Sequence, residues 1–116
     1  MTRPGIKLMA DYHCWPLWHH GGSEVGNIDP ETLGLSTELL ANLKRWTDDY
    51  DSHLDLSDPA SVRWTEEEEL AFDRVGRRLC TALAREVGSR FAVFFFEQRT
   101  ATCVPALGLF VSPPNA

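Results

Sequence analysis

The sequence predicts an α+β fold, a small, mostly antiparallel sheet packed by two long helices. Three observations carry this. Residues 37–54 and 66–87 repeat apolar side chains at helical spacing. Residues 6–13 alternate with a period of two. Residues 91–97 hold an almost unbroken apolar block of strand length.

In the first strand, Ile6, Leu8, Ala10 and Tyr12 alternate with Lys7, Met9, Asp11 and His13. Pro16 has no N–H to give to a ladder and is expected to end the pairing. Gly21, Gly22 and Gly26 then mark a mobile loop. Asp29-Pro30 suits the cap and first position of a short helical turn through Leu33, broken by Gly34.

The first long helix is expected to start at Ser36, with Glu38 favourably placed against the dipole. Leu39, Leu43, Trp46, Tyr50 and Leu54 form its apolar stripe. Asp48, Asp49 and Asp51 lie in its final turns, where the dipole disfavours negative charge by a few tenths of a kcal/mol each. Asp55 to Arg63 is a polar connector containing Pro59.

Thr65-Glu66-Glu67-Glu68 is a capping box that opens the second helix. Acids crowd its positive end, Arg74 to Arg85 lie towards its negative end, and Gly88 suits a left-handed C-terminal cap. Phe72, Val75, Leu79, Leu83 and Val87 make its predicted buried stripe. Gly76 interrupts the helix at a cost of about 1 kcal/mol against alanine, which a close helix crossing would explain. Phe91 to Phe96 is expected to pair centrally or to be covered on both faces. Gln98-Arg99-Thr100 follows as a turn. Residues 102–111 are expected to add strand, weakened by Pro105 and Gly108, and residues 112–116 to form a loose tail.

One hundred and sixteen residues suit a single domain, 1–116, able to bury a core without disulfides. Apolar residues make up 43% and charged residues 24%, which argues against disorder. The start of the chain lacks a signal-peptide apolar region, and no run is long enough to span a membrane, so a cytoplasmic location and no membrane partner are expected. Cys14, Cys80 and Cys103 are odd in number and widely spaced, which disfavours a disulfide framework. Net charge is −6 and unevenly spread. Residues 24–73 hold 14 acids and three bases, −11; the remainder holds eight bases and three acids, +5. Such a middle repels phosphates and disfavours nucleic acid. It suits a basic protein partner, or simply a solvated acidic face.

The densest chemistry lies in Asp11 to Gly22, with three of the four histidines and two of the four tryptophans. Tyr12, Trp15 and Trp18 are candidate partner anchors, because tryptophan and tyrosine dominate binding hot spots. Asp48, Asp49 and Asp51 are candidate acidic contacts. His13, Cys14, His19 and His20 are metal-competent and fall within eight residues. Their spacing matches no zinc motif, and His13 and Cys14 should diverge on a strand, so no cofactor is expected and zinc is the alternative. Asp11 with His13 could serve acid–base chemistry, and Cys14 with a histidine nucleophilic chemistry, but neither pattern is specific.

Met9-Ala10-Asp11-Tyr12, Pro16-Leu17-Trp18, Gly26-Asn27-Ile28-Asp29-Pro30-Glu31, Trp46 with Tyr50-Asp51, and Asp58-Pro59 carry a resemblance. Over residues 6–97 the chain resembles a small family of uncharacterised bacterial proteins, actinobacterial ones among them. That pattern brings no assigned reaction and no catalytic residues. Small acidic bacterial proteins of this kind are often immunity or antitoxin partners, and the resemblance implies that class by size and charge.

The function expected is therefore a small cytosolic protein-binding module, immunity- or antitoxin-like, for a basic partner. The alternatives are a small enzyme or a ligand- or metal-binding protein using the His13–His20 edge, and a structural domain that forms a homodimer through its sheet edge.

Overall fold

A computed structural model describes residues 3–22, 24–53 and 64–106. It is α+β, with five short strands and two helices: β1 (Gly5–Leu8), β2 (Leu17–His19), β3 (Asn27–Ile28), α1 (Thr37–Asp51), α2 (Glu66–Val87), β4 (Ala92–Glu97) and β5 (Thr102–Pro105). The sheet order is β3-β2-β1-β4-β5. Three of its pairings are antiparallel; the fourth, β1 with β4, is parallel. Parallel neighbours cannot be joined by a tight turn, so everything between them is crossover.

Both helices lie on the same face of the sheet. Phe95 of β4 meets Trp46 of α1 and lies against Gly76 of α2. Ile6, Leu8, Leu17, Val93 and Phe95 form the floor, and Leu39, Leu43, Trp46, Tyr50, Phe72, Leu79 and Leu83 the roof, of one buried cluster. On α1, Ser36 caps the helix by accepting from the Leu39 N–H, and its own N–H and hydroxyl donate to Glu86 of α2. The capping box of α2 is complete: Glu68 N–H donates to Thr65 Oγ1, and Thr65 N–H donates to Glu68 Oε1. Asp29 and Pro30 cap and open a short 3-10 turn ending at Leu33, as expected.

Four expectations need correction. The strand expected over 6–13 pairs only through Leu8. Beyond it the Met9 N–H bonds the Pro16 carbonyl, closing a loop in which Cys14 N–H donates to the Asp11 carbonyl and His13 takes a φ of 58°. Ala10 and Tyr12 keep the apolar alternation because they pack on the core from that loop.

Pro16 does not end the pairing: strands follow at Leu17–His19 and Asn27–Ile28, and Gly21, Gly22 and Gly26, at positive φ, lie in the connection between them. Pro16 stands just before β2, where a missing N–H costs nothing, and supplies a carbonyl.

Val75 is 42% exposed rather than buried, and the inward stripe of α2 runs Phe72, Gly76, Leu79, Leu83 and Val87. A Cβ at Gly76 would lie 2.6 Å from the Phe95 ring and 2.9 Å from Trp46, so the glycine marks a close approach of α2 to α1 and the sheet.

Gly88 does turn the chain at positive φ, but at φ 59° and ψ −130° it lies outside the left-handed helical well. The expected helical residue Leu54, the 55–63 connector, the strand over 107–111 and the 112–116 tail fall outside the described residues. β5 is described over Thr102–Pro105, an edge strand that tolerates Pro105.

Asp73 has no counterpart among the expectations. It is a carboxylate 1% exposed within α2, accepting from the Gln98 and Arg99 N–H groups at 2.8 and 3.0 Å. It thereby caps the turn between β4 and β5.

The register of α2 is testable within one helical turn. Leu79→Ala should cost about 2–5 kcal/mol. Val75→Ala should stay within about 0.5 kcal/mol. Gly76→Ala should lower stability, because overpacking of about 1–3 kcal/mol outweighs the roughly 1 kcal/mol of helix propensity gained. Denaturant titration ranks the three; a stabilised Gly76→Ala would mean that α2 sits farther from Phe95. By the same measurement, Thr65→Ala should lose about 1 kcal/mol at unchanged slope.

Candidate functional site

The aromatic-rich segment beyond β1 is braced at both ends. Asp51 Oδ1, in the last turn of α1, accepts from the His13 N–H at 3.1 Å. Asn27 of β3 clamps the other end: its Oδ1 accepts from the Trp15 N–H, and its Nδ2 donates to the Trp15 and Leu17 carbonyls, all within 3.0 Å. Trp18 Nε1 donates to the Met9 carbonyl and ties the same loop across β2.

These bonds sort the expected anchors. Tyr12 is half-buried against Tyr50, with ring centroids 4.6 Å apart, and helps to pack the core edge. Burial first, then the neighbouring Tyr12 and Asp11, push the Tyr50 hydroxyl up to about 12. Trp18 is half-buried, with its indole N–H committed internally. Trp15 alone is left open, its backbone fixed and its side chain 50% exposed.

Trp15 forms one wall of a cleft of about 580 Å³ that runs between the loop, the 3-10 turn and α1. Pro16, Pro30, Leu40 and Leu43 contribute apolar lining; Asp29, Glu31 and Asp48 contribute carboxylates, and Lys44 the one cation among the described residues. Lys44 is paired with Asp48 at 3.1 Å. The three helix acids therefore do not act as one cluster. Asp48 faces the Trp15 cleft, Asp51 braces His13, and Asp49 borders a second groove on the other side of α1.

That second groove, about 590 Å³, lies between α1 and α2 over Trp46, Trp64 and Phe72. Its rim is mixed in charge, with Arg45 and Arg78 beside Asp49 and Glu68.

The metal-competent residues separate. His13 and Cys14 lie in the braced turn. His19 and His20, adjacent on an extended chain, diverge: His19 approaches Glu24 at 3.4 Å, and His20 packs on Phe94 with its Nε2 3.9 Å from Cys103 Sγ. Among the described residues, no three His, Cys, Asp or Glu side chains converge where a metal ion would sit. Nor is any described helix long and apolar enough to cross a membrane.

A protein-family model described as Serratia CdiI immunity protein-like matches residues 4–98. The match takes in both helices, strands β1 to β4, the braced loop and both clefts. The chain belongs to the Serratia CdiI immunity protein-like family. No curated protein matches it.

Three contributors to the site escaped the sequence analysis: the Asn27 clamp, the Asp51 brace, and the cleft wall made by Glu31, Leu40 and Lys44. Asn27, a poor strand former beside Gly26, was the one available signal.

At the far end of α1 in this CdiI-like chain, His53 joins the helices. Its ring stacks on Trp64 at 3.6 Å, Nδ1 meets the Asp49 carbonyl, and Nε2 lies 2.9 Å from Glu68 Oε2. Burial opposes its charge, but Glu68 and the Asp49 carbonyl outweigh burial and raise its pKa above 6.5. The Thr65 N–H first, and then His53, lower the Glu68 carboxyl below 4.5. The His53 contribution is complete below 6.5 and fades as pH rises through its raised folded value; that of Glu68 is complete above 4.5 and fades as pH falls. The pair therefore supports the fold best between 4.5 and 6.5. Denaturation at about pH 6 and about pH 8 should show stability lost at the higher pH, with a smaller loss in His53→Ala. An equal loss in both would remove His53 from the account.

Proposed function

We propose that this chain is an immunity protein that binds and neutralises a toxin domain, and that the toxin presents a basic face to it. The family match over residues 4–98 carries the proposal. The charge of the molecule supports the second part: the acidic middle of the chain supplies α1 and the start of α2. Charges on an exposed rim steer encounter and set the association rate; a desolvated aromatic anchor sets how long the complex lasts.

Trp15 suits the anchor because its backbone is already held, so little ordering entropy remains to be lost on binding. Trp18, bonded to Met9, supports the loop instead. The cytoplasm is the proposed site of action, a reducing compartment that suits free Cys14, Cys80 and Cys103.

The test is co-production with a candidate toxin domain taken from the genes neighbouring it in the native genome. The protein should restore growth and co-purify with that domain. Association should slow as salt rises, and slow further in Asp48→Lys/Asp49→Lys, which spares the Asp51 brace. Trp15→Ala should speed dissociation and cost more than about 2 kcal/mol of affinity. Unrestored growth would overturn the immunity assignment; binding indifferent to salt and to the double reversal would overturn the basic face.

A further inference from the structure

We propose that the Trp15 cleft is a receptor for an arginine side chain of the partner protein. The inference rests on the immunity assignment for its biological setting, but its chemistry is carried by the cleft itself. An arginine combines an apolar stem with a flat cation that stacks on aromatic faces and bonds carboxylates through two N–H groups. The cleft offers each complement. Trp15, Pro30 and Leu40 line it with apolar surface against which the stem can lie. Glu31 and Asp48 supply carboxylates on the same lining. Glu31 forms no ion pair among the described residues, and Asp48 is held by Lys44 alone.

Charge separates this cleft from the groove between the helices. There Arg45 and Arg78 would repel a cation, and Glu68 is already taken by His53 and the Thr65 cap. In the Trp15 cleft the one cation among the described residues, Lys44, sits on a long flexible stem at an exposed pair that contributes little and can be exchanged. An incoming guanidinium displaces the ammonium from Asp48 or takes Glu31 directly. The Asn27 clamp holds the Trp15 backbone in place before binding, so the aromatic wall need not be assembled by the ligand.

The test is an NMR titration of the ¹⁵N-labelled full chain with N-acetylarginine amide. N-acetylcitrulline amide, the neutral isostere, is the control. Arginine should shift the Trp15 indole N–H and the amides of Glu31, Lys44 and Asp48 along one saturating curve. Citrulline should bind about tenfold more weakly or not at all. Trp15→Ala and Glu31→Gln should each weaken arginine binding several-fold while leaving the rest of the spectrum in place. Equal binding of citrulline, or shifts centred on Glu66–Glu69 without Trp15, would overturn the proposal. No arginine binding in a chain that still restores growth would overturn the cleft and leave the immunity assignment standing. Arginine binding in a chain that fails to restore growth would do the reverse.

Discussion

The parallel pairing of β1 with β4 is the constraint on which the rest of the molecule depends. Ile6 faces Val93 and Leu8 faces Phe95 across it, and these side chains floor the core. A hairpin cannot close a parallel pair, so the chain from Met9 to Phe91 must leave the sheet and return. It does so by adding the β2–β3 edge and then laying α1 and α2 on one face. Gly76 lets α2 settle against Phe95 and Trp46, and Asp73, a turn earlier, reaches the backbone of the turn after β4. One helix thus packs the sheet and ties down the exit of β4.

The same crossover brings distant parts of the chain to one edge. The loop after β1 meets the last turn of α1 through His13 and Asp51, 38 residues apart. It meets β3 through Trp15 and Asn27. Those polar bonds use backbone groups the loop would otherwise leave to water, and their result is an exposed tryptophan on a fixed support. A folded core alone has no need for that arrangement. The partner surface proposed above would use it, because rigid aromatic anchors bind at the lowest entropic cost.

Much of the fold was legible in the residues, and the reasons are local. Helix caps and apolar stripes depend on neighbours three and four residues apart, so Ser36, Thr65, Leu39 to Tyr50 and Leu79 to Val87 could be placed from spacing. The apolar block at 92–97 announced an interior strand, and β4 is paired on both sides. The failures came where tertiary contact overrides local pattern. Ala10 and Tyr12 alternate as in a strand but are apolar because they meet Tyr50 and the core from a loop. Val75 has the right spacing to be buried, yet the glycine beside it takes the inward position. Trp15 and Trp18 look alike in sequence, yet Trp18 lies in β2 with its indole N–H bonded to Met9, and Trp15 stands half exposed on a clamped loop. The cleft joins residues 14–16, 29–31 and 37–48, a convergence that no short-range pattern encodes.

Hydrogen–deuterium exchange of the chain, free and bound to the toxin domain proposed as its partner, tests the central claim most directly. The account predicts slowed exchange on binding at residues 13–16, 29–31 and 40–48, with the Arg74–Arg85 segment unchanged. Protection along Arg74–Arg85 with residues 13–16 unaffected would contradict it, and would place the partner on the basic half of α2.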